Sequence, residues 1–244
     1  MKKIALCLLV LTSLVSQAQT DSVQTQKQKW PSFLTKDQLP DATMYLPAPP
    51  ASGSEWFVAD MVWHQWGRSL RDTPRGIQAR RDAEYSLDAV FSVFSAPFGV
   101  ELSCEQMPEL AYLVERIITD ASLSVSKAKQ HYNRQRPFLH FKEGTLIPEE
   151  EESHHTPSYP SSHAAMGWTV ALVLAELNPI RAEHILKAGY EYGESRIISG
   201  YHYRSDVDAA RVAASACVAR LHADSAFQKQ MGKVKRELEK LHIF

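Results

Sequence analysis

This chain is poor in cysteine and has almost no net charge. Three of its 244 residues are cysteine, and 27 Lys and Arg face 28 Asp and Glu, for a formal charge of −1 at pH 7. A balance so near zero offers no basic face broad enough for nucleic acid, so that partner is not expected. No alternating strand pattern and no internal repeat stand out. No apolar stretch beyond the first residues reaches membrane-span length. What remains is an all-α class, soluble once any leader is removed. Cys104 and Cys217 are the thiols outside the leader. Paired, they would close a long loop worth about 4–5 kcal/mol. Unpaired, they are two separate thiols, and the sequence leaves both readings open.

The leader is legible. Lys2 and Lys3 precede an almost wholly apolar run from Ile4 to Val15, and Ser16-Gln17-Ala18 is a small-x-small cleavage site. This predicts a signal peptide over 1–18, a polar leader over 19–29 and one domain over 30–244, with the mature protein periplasmic or secreted. About 225 residues are enough for one well-cored domain.

Along the domain, Trp30 to Pro50 is rich in proline and aromatics and predicts an extended arm anchored by Trp30, Phe33, Tyr45 and Leu46. Helices follow. One spans Glu55 to about Leu70, with Trp56, Phe57, Met61, Trp63 and Trp66 read as core. Thr73-Pro74 reads as the cap and first turn of a second, with an apolar face of Tyr85, Leu87, Val90, Phe91 and Phe94. A third runs from Glu105 to about Asn133 and stops before Pro137. Phe138 to Tyr159 lacks periodicity and carries Glu149 to Glu152 and His154-His155, so it reads as a long polar loop. The helix from Ser162 to about Leu177 is apolar on nearly every side and is expected at the centre of the bundle. Two more follow, to about Ile198 and from about His202 or Ser205 past Leu221. An amphipathic tail closes the chain from Ala226 to Lys240.

Chemistry gathers in three islands. Lys129 and Arg136 lie nearly two helical turns apart, so both cations can share a side. By itself that spacing equally describes a solvated basic face. Ser161, Ser162 and His163 sit where the central helix begins, and a helix start offers open amides to an anion. A serine cap beside a partly buried histidine would look the same. The third island is Ser195 to Asp206, with Arg196, Gly200, His202 and Asp206. Asp206, four residues after His202, can hold Nδ1–H and leave Nε2 free as base or nucleophile. Arg196 can present a planar fork to an oxyanion. Gly200 can take the sharp turn that aims both at one point. Together the islands hold what in-line displacement at phosphorus needs: fixed cations, a nucleophile and a proton donor.

The order Lys, six residues, Arg-Pro, then Pro-Ser-x-His, then Ser-Arg, five residues, His, three residues, Asp resembles the signature of the phosphatidic-acid-phosphatase type 2 (PAP2) superfamily. Within it the chain is most similar to the soluble bacterial class A non-specific acid phosphatases. Tyr45 to Pro50, Arg134 to Phe138, Gly167-Trp168, Ala171 to Glu176 and Ser205 to Arg211 extend the likeness to nearly all of the chain from Trp30 on. The resemblance implies His202 as nucleophile forming a phosphohistidine, Asp206 orienting it, and His163 as acid and then base. It implies Lys129, Arg136, Ser161, Ser162 and Arg196 as phosphate ligands. It also implies no metal or other cofactor, small-molecule phosphate esters as substrates, and self-association. The chain holds no His-Glu-x-x-His or calcium-loop motif. One position departs from the family pattern, because Ser162 stands where glycine is usual. A left-handed Ser162 would be strained by about 1–2 kcal/mol, whereas a helical one would fit and add a donor.

Two other readings share these residues. Vanadium haloperoxidases resemble the same family, and vanadate held at His202 would allow oxidation. A non-catalytic anion or metal binder could use Glu149 to Glu152 with His154 and His155.

Overall fold

The helix that is apolar all round lies at the centre. The computed structural model describes residues 31–243, so the predicted leader and the Trp30 anchor lie outside the described residues. Among these, ten α-helices form: α1 (Glu55–Ser69), α2 (Pro74–Arg81), α3 (Leu87–Phe98), α4 (Pro108–Ser124), α5 (Ser126–Tyr132), α6 (Pro137–Phe141), α7 (Ser162–Leu177), α8 (Ala182–Ile198), α9 (Arg204–Leu221) and α10 (Ser225–Lys240). No strand forms among the described residues. The class is all-α, as expected. α7 packs against α4, α8 and α9, and α10 closes over α4. Leu110, Leu113, Ile117, Val170, Val173, Leu174, Leu221, Phe227 and Val234 share one buried core. No helix among the described residues is long and apolar enough to cross a membrane.

Starts are set by local chemistry. Ser54, Thr73, Ser86, Ser161 and Asp224 each accept a backbone N–H of the helix that follows, which satisfies an otherwise open donor. Two predicted helices are broken. The chain leaves the helical path from Asp82 to Ser86, because Asp82 turns inward to Ser195 while Ser86 caps a new helix. Tyr85 therefore sits in the break, 58% exposed, rather than on a core face. The long helix expected to reach Asn133 is interrupted at Val125. There Ser124 and Ser126 hydroxyls bond back to the Ala121 and Ser122 carbonyls, a pattern that bends helices.

The arm also differs from expectation. It holds 3₁₀ turns at Lys36–Gln38 and Ala42–Met44. Leu34, Ala42 and Leu46 are buried and Phe33 packs edge-on to Phe227, whereas Tyr45 is exposed. On α1, Phe57 is buried and Trp63 and Trp66 pack against the inner core, but Trp56 and Met61 face outward. Cys104 and Cys217 are both free thiols.

α7 and α8 approach closely at Gly167. A Cβ there would stand 2.2 Å from the Tyr192 ring, so only glycine lets that ring lie beside the first turns of α7. The ends that carry chemistry thereby meet: the starts of α7 and α9, the end of α8, and the segment from α5 to α6.

Candidate active site

α8 ends at Ile198 with Ser199 as its cap, and Gly200 follows with a φ of +86° that admits the sharp reversal. The amides of Tyr201 and His202 both return to the Arg196 carbonyl, and Arg71 donates to the carbonyls of Ile198 and Ser199 at the same terminus. This turn places His202 just outside α9. The sequence predicts a helix from about His202 or Ser205, whereas α9 begins at Arg204 and Tyr203 is its N-cap. The pairing with Asp206 survives because Asp206 lies in the first turn and reaches back. Its Oδ2 accepts the Tyr203 N–H at 2.9 Å and faces His202 Nδ1 at 3.3 Å. A carboxylate there holds the proton on Nδ1 and leaves Nε2 with its lone pair.

The other carboxylate oxygen of Asp206 accepts from Arg134 Nη1 at 2.6 Å. Arg134 Nη2 reaches Asp60 at 2.7 Å, and Asp60 in turn accepts both the amide and the hydroxyl of Ser205. Arg134 also lies 3.8 Å over the Tyr203 ring. Burial pushes the Asp206 carboxyl up, and Arg134 and the Tyr203 amide pull it back. Arg134 and Asp60 were not singled out as site residues from sequence. Two signals were available: a second arginine two residues before Arg136, and an aspartate on the buried face of an aromatic helix, one turn from Phe57 and His64.

A cleft of about 470 Å³ opens in front of His202, lined among others by Lys129, Arg136, Ser162, His163 and Arg196. Arg136 donates to His202 Nε2 at 3.1 Å and is fixed by Thr156 and the Tyr201 carbonyl. Lys129 donates to the Pro157 carbonyl at 2.7 Å. Arg196 is 2% exposed, and its Nε and Nη1 have no hydrogen-bond partner among the described residues. Buried donors of this kind are costly unless something polar occupies the cleft. Burial and then the crowding of like charge disfavour the protonated cations. Burial and Arg136 bring Lys129 down to about 7, and burial and Arg196 bring Arg136 down to about 10. His202 is lowered well below the usual imidazole range by burial, then by Arg136, Lys129 and Arg196. Its neutral form is therefore the resident one.

α7 contributes its start. Ser161 Oγ accepts the Ala164 amide at 3.2 Å, which leaves the hydroxyl proton to donate elsewhere. The Ser161 amide is bound to the Asp206 carbonyl, tying α7 to α9. The amides of Ser162 and His163 stand at the open N-terminus. Ser162 is helical and does not adopt positive φ, so replacing glycine introduces no backbone strain. His163 is buried, stacked on Tyr192 at 4.5 Å with 8° between the rings. Its Nε2 lies 2.5 Å from the Asp82 carbonyl. A carbonyl only accepts, so Nε2 carries the proton and Nδ1 is the nitrogen left to exchange one. Burial and Arg196 lower its pKa well below the usual range, against the Asp82 carbonyl. Asp82 had no signal in the sequence, because its backbone oxygen does this work.

All the residues expected at the site therefore belong to one place. Lys129, Arg136, Ser162, His163, Arg196 and His202 line the cleft; Asp206 and Ser161 back it. His154 and His155, read as a possible metal pair, diverge. His154 lines this cleft, whereas His155 lines a separate groove with Glu151 and Glu152. Among the described residues no three His, Cys, Asp or Glu side chains group as metal ligands. A cup with fixed cations, open amides and an imidazole on each side can bind a tetrahedral oxyanion and exchange a proton beside it.

The PAP2 superfamily matches residues 109–229. A non-specific acid phosphatase of Providencia stuartii is 44% identical over 86% of this chain and 85% of its own length. A non-specific acid phosphatase of Salmonella typhimurium is 35% identical over 84% and 83%. An acid phosphatase of Zymomonas mobilis subsp. mobilis is 35% identical over 96% and 90%.

Proposed function

This chain belongs to the PAP2 superfamily and is an acid phosphatase, and we propose that it hydrolyses soluble phosphomonoesters through a phosphohistidine on His202, without a metal. The observation that carries this reading is the buried Arg196 guanidinium, whose Nε and Nη1 have no hydrogen-bond partner among the described residues, sharing a cleft with His202, Lys129 and Arg136.

The substrate phosphate takes its oxygens to Lys129, Arg136 and Arg196, with the Ser161 hydroxyl and the Ser162 amide completing the cup. Arg136 Nη1 turns from His202 Nε2 to a phosphate oxygen, and the freed Nε2 lone pair attacks phosphorus in line. The P–N bond forms as the bond to the ester oxygen breaks, and His163 Nδ1–H passes its proton to that oxygen. His163 then takes a proton from water, the resulting hydroxide attacks phosphorus, the P–N bond breaks, and phosphate leaves. An alcohol in place of water would give phosphotransfer. Three fixed cations supply the charge stabilisation that phosphoryl transfer otherwise draws from metal ions. Burial and Arg196 favour neutral His163; an arriving phosphate offsets Arg196 and raises the His163 pKa toward the working range.

Two features outside the cleft complete the proposal. The basic-apolar-small pattern of residues 1–18 supports export to the periplasm or medium. The outward Met44, Trp56, Met61 and Val62 side chains support self-association.

The test is phosphate release from p-nitrophenyl phosphate at mildly acidic pH with excess chelator. Turnover that survives chelation is expected. Absence of turnover, or turnover only with added metal, contradicts the reading.

A further inference from the structure

The cleft has chemically opposite ends. The inner end offers donors: Lys129, Arg136, Arg196 and the start of α7. The mouth, built by the 3₁₀ turn Pro148–Ser153 and His154, offers acceptors.

Two independent observations define that mouth. The first is Glu150. Its neighbours are engaged elsewhere: Glu149 faces Arg80 at 3.5 Å, Glu151 accepts the Thr145 amide at 2.7 Å, and Glu152 lines the separate groove. Glu150 lines the cleft, half-buried, and its carboxylate has neither a hydrogen-bond donor nor an ion-pair partner among the described residues. It is the foremost opposite charge acting on Arg196. The second is His154. Its Nδ1 lies 2.8 Å from the Glu150 carbonyl, so Nδ1 carries the proton and the neutral ring presents Nε2 as an acceptor. The ring is braced against Tyr201 at 4.5 Å. Burial, followed by Arg196, Arg136 and Lys129, brings its pKa down to about 4, so the acceptor form persists in mild acid.

A phosphate in the cup meets neither group favourably, and a carboxylate lining the same cleft repels it. A leaving group that brings a cation to the mouth removes that penalty and pairs with Glu150. We propose that Glu150 and His154 form a leaving-group subsite selecting phosphomonoesters of amino alcohols, whose ammonium sits a short carbon chain from the ester oxygen. This rests on the phosphatase reading above.

The experiment compares kcat/KM for O-phosphoethanolamine, its neutral isostere n-propyl phosphate and the anionic phosphoglycolate, with p-nitrophenyl phosphate alongside. Wild type should favour phosphoethanolamine over n-propyl phosphate by about five-fold, through KM, as expected for a half-exposed ion pair. Phosphoglycolate should be the poorest. Glu150→Gln should bring the first ratio toward one, and Glu150→Lys should invert the order of the two charged substrates. The preference should shrink as salt is added. A wild-type ratio near one, or a preference untouched by Glu150→Gln, overturns the subsite while p-nitrophenyl phosphate turnover still upholds the phosphatase. No turnover of any ester overturns both. Should Glu150→Gln fail to fold, the wild-type ratio and Glu150→Lys decide the matter.

Discussion

Arg134 Nη1 donates to Asp206 Oδ1 at 2.6 Å, and both side chains are buried. His202 is thus not oriented by a lone carboxylate but by one end of a chain that runs Asp206, Arg134, Asp60 and on to Ser205 at the start of α9. Breaking such a pair leaves an unpaired buried charge. Arg134→Ala should therefore cost about 3–5 kcal/mol of stability, read as a lowered Tm, and a large part of kcat. Asp60→Asn keeps the shape and should cost less in both. A full-activity, full-stability Arg134→Ala would show that Asp206 orients His202 unaided.

His163 is locked by the Asp82 carbonyl and the Tyr192 ring. His163→Ala should retain phosphate as an inhibitor while kcat falls about 10²- to 10⁴-fold. The loss should be smaller for p-nitrophenyl phosphate than for an alkyl phosphate, because a good leaving group needs less protonation. Equal losses for both esters would remove His163 from the leaving-group side.

Anion affinity should depend on pH in a set direction. Burial and Arg136 bring Lys129 down to about 7, below its unfolded value of about 10.4. A bound dianion raises it again, so binding takes up a proton above the empty-site pKa. Affinity for sulfate, which keeps its charge over the range, should then weaken as pH rises through about 7, by up to about tenfold per unit. Stability shows the mirror image. In the absence of anion, the folded state binds fewer protons than the unfolded one between about 7 and about 10.4, so Lys129 makes stability rise with pH across that window. Sulfate inhibition and Tm, each followed against pH, check the two signs; Lys129→Met should flatten both.

Ser162 is already helical, so Ser162→Gly relieves no strain and only removes a side chain at the first turn. Steady-state constants should change by no more than a few-fold. Activity appearing only in Ser162→Gly would mean the serine blocks the cup.

The sequence made the cup legible because its parts are fixed-charge and imidazole side chains at constrained intervals around a helix start, a helix end and a glycine turn. The central helix was equally readable from its lack of a polar side. Three things were hidden. Asp82 acts through its backbone oxygen, which no side-chain pattern reports. Asp60 and Arg134 meet across more than seventy positions, and only the fold brings them together. The two helix breaks depend on hydroxyls bonding back to carbonyls and on Asp82 being drawn to Ser195, tertiary effects that override a continuous apolar period. His154 and Glu150, which fall in the stretch read as a long polar loop, line the cleft because Lys129 and Arg136 clasp residues 156–158 just after them.

The most direct test asks where the phosphoryl group rests between the two steps. Enzyme mixed with a radiolabelled phosphomonoester, quenched in alkali, digested and mapped should carry label on the peptide holding His202, and His202→Ala should carry none. Label on the His163 peptide, or steady turnover by His202→Ala, would contradict the account.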